Sequence, residues 1–320
     1  MREQHLADFL KQNQLDAAKR QALAGDASSR RYERISDVAR SVILMDAPPP
    51  ENVGPFIEVA ALLKAQGYSP PEIIAADLSR GFLLLEDLGD TLFARLIDAG
   101  AEEAPLYQLA ADFLIDLTRR SPPSGLPRFS DDYISEQNEL FLDWYIPDQS
   151  GASVSPRDRQ MYRDIWSRLL PKIRVGPDVI LLRDFHAENL LYLEGREGLK
   201  ALGVLDFQDA LVGPPAYDLA SLLQDARRDV GVETAEQMIR RYIEQTNVEE
   251  NAFRSSYAIL GAHRALRIMG IFVRLAKAQG KTRYLDMLPR MRRHLAHNLA
   301  HPELGELEGW LQKTLGDIGQ

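Results

Sequence analysis

The chain has 320 residues, 45% of them hydrophobic and 27% charged, with a formal net charge of −9. That profile fits a globular protein, and its acidic balance argues against a general nucleic-acid binder, which carries a basic surplus. The absence of cysteine excludes disulfides, thiol catalysis and cysteine-ligated metals.

The N-terminal "MREQHLADFLKQN" has helical spacing, with Leu6, Phe9 and Leu10 on one face. It lacks the apolar core of a signal segment, and no run of about 18 apolar residues predicts a membrane span. The expectation is a cytoplasmic monomer without membrane or nucleic-acid partners, and the absence of cysteine fits the cytosol. Short extended pieces follow at 30–35, 41–47, 70–77 and 81–88. Between them "GPFIEVAALLKAQG" predicts a helix, with Phe56, Val59, Ala60 and Leu63 on one stripe and Gly67 just past its end. Residues 20–88 thus suggest a small antiparallel sheet with one helix packed on it.

From Thr91 the pattern turns helical, with candidates at 91–99, 103–119, 131–144, 158–171, 216–228, 233–246, 250–279, 283–300 and 303–315. The exception is 178–206, where "VILLRD", "NLLYLE" and "ALGVLDF" read as strands. The expected fold is α+β. An N-terminal lobe over 1–88 carries the sheet and one helix, and a large, mainly helical C-terminal lobe spans 89–320.

"LLRDFHAENLL" places Asp184, His186, Glu188 and Asn189 between apolar flanks. A hairpin turning at the glycine-bearing "EGREG" would return Asp206 beside the loop that holds Asp184 and Asn189. A carboxylate and an amide oxygen suit Mg²⁺ when substrate phosphates complete its shell, and another acid can accept a hydroxyl proton. Taken singly, each residue also fits a turn cap or strand end. His186 has no second histidine at zinc-ligand spacing, so a brace through hydrogen bonds is its expected role. "LAKAQGKT" lacks the first glycine of a P-loop, and no G-x-S-x-G elbow exists at "GDASS".

"RDFHAENLL", "LGVLDFQDA" and "PPAYDLASLL" together resemble the aminoglycoside phosphotransferase and choline kinase group, whose fold is protein-kinase-like. Its loop reads roughly H-G-D-x-H-x-x-N; here Arg183 stands in place of the small residue before the acid. The resemblance implies ATP and Mg²⁺ as cofactors, Asp184 as catalytic base, Asn189 and Asp206 as metal ligands, and Asp218 as a brace of the catalytic loop. "GDASSRRYERI", "ILMDAPPPENVGPFIEVAALL" and "GFLLLEDLGD" are similar, further, to bacterial kinases that phosphorylate the anomeric hydroxyl of N-acetylmuramate and N-acetylglucosamine in cell-wall recycling. That likeness spans about Ala24 to Arg274 and implies a small amino-sugar substrate.

The kinase pattern expects a lysine on the third strand, and "RSVILMDAP" has none. Ser28, Ser29, Arg30 and Arg31 are the expected phosphate contacts, with Arg30 or Arg31 in place of the lysine and Glu58 as brace. The same segment also fits a plain hairpin turn. Backbone at Glu86 and Leu88 is the expected adenine contact. For the acceptor sugar the candidates are Glu136, Glu139, Trp144, Asp209, His263 and Arg264, since aromatic faces stack on sugar rings and carboxylates accept their hydroxyls. Arg267 belongs to the same helix as the last two, and a lactyl carboxylate on the sugar calls for an arginine. Kinases of other hydroxylated acceptors, or a nucleotide-binding regulator without catalysis, are the competing readings.

Overall fold

A computed structural model describes residues 1–23, 29–38 and 40–316. The chain forms two compact units. One comprises Met1–Ala101 with Glu188–Asp209, the other Glu102–Ala187 with Ala210–Gln320. The first takes in the segment 188–209, which a division at residue 88 assigns to the helical part.

The first unit opens with helix α1 (Arg2–Gln12), followed by strands β1 (Lys19–Ala22), β2 (Arg31–Ser36) and β3 (Ser41–Asp46). Helix α2 (Gly54–Ala65), strands β4 (Ile73–Asp77) and β5 (Phe82–Glu86), and helix α3 (Phe93–Asp98) come next. The five strands form one antiparallel sheet in the order β1-β2-β3-β5-β4. Alternation decides what covers it. Val42, Leu44, Phe82 and Leu84 point to one face, where Leu6, Phe9 and Leu10 of α1 join them in a single core with Leu15 and Ile35. Phe9 stacks on Phe82 at 5.7 Å. The sheet therefore carries α1, a helix other than the one expected from sequence to pack on it. Phe56, Val59, Ala60 and Leu63 of α2 are buried as their spacing requires.

After β6 (Val179–Leu181), which belongs to the other unit, the chain returns with β7 (Leu190–Tyr192) and β8 (Leu202–Val204). These pair antiparallel, Leu190 opposite Val204. Gly195 and Gly198 both take positive φ in the connection, a conformation that favours glycine. The hairpin is tied to the rest of its unit by Tyr192 N–H to Thr91 O, 2.9 Å, and by Ser69 Oγ to Lys200 O, 2.8 Å.

The second unit holds α4 (Glu103–Leu117), α5 (Asp131–Leu140), α6 (Ile146–Ser150) and α7 (Pro156–Leu169). Strand β6 pairs with β9 (Leu211–Gly213), and the helices α8 (Ala216–Leu223), α9 (Val232–Thr246), α10 (Glu250–Gln279), α11 (Leu288–Leu299) and α12 (Gly305–Leu315) complete it. Over its middle, α10 is buried nearly all round. It is the core helix of the unit rather than an amphipathic surface helix. Between α5 and α6 the backbone forms a π-helical turn at Phe141–Tyr145. Gly270 of α10 lies against this turn, and a Cβ there would stand 2.4 Å from Leu140 O.

Candidate active site

In the sheet-bearing unit, the β7–β8 hairpin brings Asn189 and Asp206 together. Leu205 N–H donates to Asn189 O at 2.9 Å, just beyond the Leu190–Val204 pair. Asp206 has φ of 55°, an uncommon conformation for a non-glycine residue that turns the chain sharply at the strand end. Gln208 Nε2 donates to Asp206 Oδ1 at 2.8 Å. Phe207 is fully buried and stacks on Phe56 of α2, ring centroids 4.8 Å apart. One hard carboxylate and one amide oxygen, fixed by a hairpin, are a donor set that fits Mg²⁺ with phosphates and water filling its other positions.

The expected phosphate side lies partly outside the described residues, Ser28 among them. Ser29 Oγ donates to Glu51 Oε1 at 2.8 Å, and Arg30 pairs with Glu51 at 3.1 Å. The carboxylate that meets Arg30 is thus Glu51, just ahead of α2, whereas Glu58 within the helix is exposed. Tyr32 is next in this group. Burial holds its hydroxyl well above the usual tyrosine range, reinforced by the Asp206 carboxylate and opposed by Arg30. Arg30 and Tyr32 thus sit in the same electrostatic neighbourhood as Asp206. Arg31 is exposed at the start of β2. Met45 occupies a buried sheet position opposite Tyr32.

At the expected adenine segment the side chains are sewn to neighbours. Glu86 pairs with Arg196, and Arg34 Nε donates to Asp87 Oδ2 at 2.7 Å. Glu86 N–H is committed to Glu72 O at 2.8 Å. Neither Asp87 nor Leu88 shows a backbone–backbone hydrogen bond outside the strands among the described residues.

In the helical unit, the loop after β6 carries Asp184. Its N–H donates to Leu182 O at 2.8 Å across Arg183, whose φ is 68°. This is the γ-turn of positive φ, a rare and strained form. Asp218 of α8, 1% exposed, holds the turn from behind by accepting the N–H of Leu182 at 2.5 Å and of Arg183 at 2.9 Å. Ser221 Oγ donates to Arg183 O at 2.8 Å. Burial raises the Asp218 carboxyl to about 7 despite these two bonds, and the Asp184 charge pushes the same way. Burial also works against the charged form of Asp184, but Arg267 leads a group of cations that keeps its carboxyl below the usual range. Two nearby acids are thereby driven apart, and the pair ionises first at Asp184.

His186 is buried, and Arg227 Nη1 lies 2.9 Å from its Nε2. Arginine only donates, so Nε2 accepts and the proton of the neutral ring is on Nδ1. Burial lowers its pKa to about 4.

The expected sugar contacts fare unevenly. Glu136 is exposed on α5 and Trp144 is half-buried in the π-helical turn. Glu139 is engaged by Arg159 and Arg163 of α7. Asp209 is exposed and belongs to the other unit. His263 is 1% exposed; Phe129 and Trp166 meet its ring edge-on at 5.6 and 5.8 Å, and Nδ1 lies 2.8 Å from Asn138 Oδ1. It is a core histidine, not a surface that a sugar can touch. Arg264, 3% exposed, donates to Gln224 O at 2.9 Å and is likewise enclosed. Arg267 is half-buried, and its Nε donates to Gln137 Oε1 at 2.9 Å. Every third or fourth residue of a helix shares a face, but when a helix is buried all round, spacing does not say which arginine reaches the surface.

A five-stranded antiparallel sheet unit and a mainly helical unit with an acid-bearing loop give a protein-kinase-like fold. Residues 19–253 match the Phosphotransferase enzyme family, and the chain belongs to that family. It is 36% identical to an N-acetylmuramate/N-acetylglucosamine kinase of Caulobacter vibrioides, over 98% of this chain and 96% of that protein. A protein of the same name from Pseudomonas putida is 32% identical, over 95% and 92% of the two chains. Among solved structures, a choline/ethanolamine kinase family protein of Mesorhizobium loti superposes with a TM-score of 0.66 at 16% identity, covering 98% of this chain and all of that one. That likeness is one of fold.

Proposed function

We propose that the protein is an ATP- and Mg²⁺-dependent kinase that phosphorylates the anomeric hydroxyl of N-acetylmuramate, N-acetylglucosamine or both, in the cytoplasm. The observation that carries this reading is the 36% identity, over nearly the full length of both chains, to a kinase named for these sugars.

In this reading Asp184 orients the sugar hydroxyl and takes its proton, a role suited to a carboxyl held ionised by neighbouring guanidinium groups. Asp218 and His186 keep the loop in place. Asn189 and Asp206 would hold Mg²⁺, which supplies charge neutralisation for the phosphates. Arg30, positioned by Glu51, approaches the polyphosphate in place of the absent lysine. The backbone of Leu88 contacts the adenine edge.

A cationic acceptor, as in choline or aminoglycoside kinases, is disfavoured by the charge around Asp184. Arg267, Arg183 and Arg264 all act on its carboxyl and would repel an ammonium group.

The test is a panel of N-acetylmuramate, N-acetylglucosamine, glucose, choline and kanamycin with Mg-ATP, read by phosphorus NMR. A sugar 1-phosphate resonance from either amino sugar is expected. Phosphate on choline or kanamycin alone, or slow ATP consumption that no acceptor stimulates, overturns the reading.

A further inference from the structure

The catalytic loop of the helical unit lies among more positive charge than a general base requires. Arg267, Arg183 and Arg264 all bear on the Asp184 carboxyl. His186 adds none near neutral pH, because burial keeps its ring uncharged above about 4. Asp218 offsets the arginines only in part, its carboxyl being raised to about 7. Arg264 and Arg267 form no ion pair among the described residues; their partners are the carbonyl of Gln224 and the amide oxygen of Gln137.

Helix α5 organises two of the three. Tyr133 and Gln137 are one turn apart and share a face. The Arg183 guanidinium stands over the Tyr133 ring, 5.8 Å from its centroid, and Gln137 holds Arg267 Nε at 2.9 Å. Both arginines are half-buried, whereas Arg264 is sealed inside. The Arg267 guanidinium is thus held by a neutral partner, on the helical face that also carries Tyr133 beneath Arg183. Arg183 keeps its side chain in a backbone conformation that favours glycine. A neutral sugar needs no such arrangement. An acidic one would neutralise it, and the planar fork of arginine matches a carboxylate.

We infer that Arg267, with Arg183 beside it, forms a carboxylate subsite that receives the lactyl group of N-acetylmuramate and favours this acidic sugar over N-acetylglucosamine. The inference rests on the amino-sugar kinase reading. The lactyl ether is on carbon 3 of the sugar, a few bonds from the anomeric oxygen, so its carboxylate and the reacting hydroxyl can both be met from the surroundings of Asp184.

The experiment measures kcat/KM for both sugars with wild type, Arg267→Gln, Arg267→Lys and Arg183→Gly. The readout is the ratio of the two values, which separates recognition of the carboxylate from any general effect on Asp184. Arg267→Gln should lower the preference for N-acetylmuramate by about 10- to 100-fold, the scale of a lost charge-assisted contact, chiefly through KM. Arg183→Gly should shift it the same way, and Arg267→Lys should retain part of it. If Arg267→Gln fails to fold, the Lys and Gly variants carry the same comparison. A ratio unchanged in every folded variant overturns the subsite. Wild-type turnover of N-acetylglucosamine with none of N-acetylmuramate also overturns it, while leaving the kinase reading intact. Wild-type inactivity on both sugars removes the amino-sugar reading and the subsite together.

Discussion

Replacing Asp218 by Asn separates what this carboxylate does for stability from what it does for the loop that carries Asp184. Asp218 is enclosed and accepts two backbone N–H groups, from Leu182 and Arg183. Asn has nearly the same shape but one acceptor oxygen, so its NH₂ group faces an N–H. A buried donor left without an acceptor costs about 1–3 kcal/mol. Against this stands the charge. The folded-state pKa is raised from 3.8 to about 7, so the native state holds its proton where the unfolded state has lost it. Native stability from this group is therefore present below about pH 4 and lost as pH rises to about 7. At about 1.36 kcal/mol per pH unit the loss is at most about 4 kcal/mol. The variant carries no such term. Urea unfolding should find Asp218→Asn less stable than wild type by about 1–3 kcal/mol near pH 4, with the gap closing as pH rises and reversing by pH 8. At pH 8 its kcat should still fall about 10- to 100-fold, the scale of a 1 Å displacement of a reacting group, since the Arg183 turn has lost an anchor. Parallel loss of stability in the two proteins between pH 5 and 8 would refute the assigned cause of the pKa. A kcat within about twofold of wild type would refute the anchoring.

Asp184→Asn should lower kcat by about 10²–10⁴, the usual range for a lost general base, with little change in thermal midpoint; near-full turnover removes Asp184 from the chemistry. Asp206→Ala should weaken Mg²⁺ binding in the presence of a non-hydrolysable ATP analogue, measured by titration calorimetry, and unchanged binding contradicts the ligand assignment. Arg30→Ala should raise the KM for ATP more than Arg31→Ala does, because only Arg30 is held by Glu51. Equal effects, or none, would detach Arg30 from the phosphates.

Much of the architecture is legible in the chain because burial patterns are local. The unbroken apolar run of β5 and the stripe on α2 require only period counting, and the paired glycines of "EGREG" mark the hairpin that joins Asn189 to Asp206. Other elements leave no such trace. Strand β1 is "KRQA", exposed at every position, so it has no alternation to read. Strand β9 is three residues long and finds β6 some thirty positions away; neither segment alone indicates the other. The pairing of Arg30 with Glu51 leaves no trace either, because a sequence displays helical position and not loop geometry. His263 and Arg264 illustrate a further limit. A polar residue in an apolar helix looks like a site, but here one joins an aromatic core through Asn138 and the other satisfies the Gln224 carbonyl.

The return of residues 188–209 to the sheet-bearing unit bears on how this protein can be cut or recombined. The chain passes between its two units at three places, after residues 101, 187 and 209. A fragment ending at Ala101 would lack β7 and β8, leaving the edge at Thr91 and the pocket of Ser69 without the strands that complete them. A chimera made by one exchange near residue 101 would join the sheet of one parent to the hairpin of the other. Swapping the sheet-bearing unit between relatives therefore takes three exchanges, after residues 101, 187 and 209, so that the 188–209 segment is transferred alongside the first hundred residues.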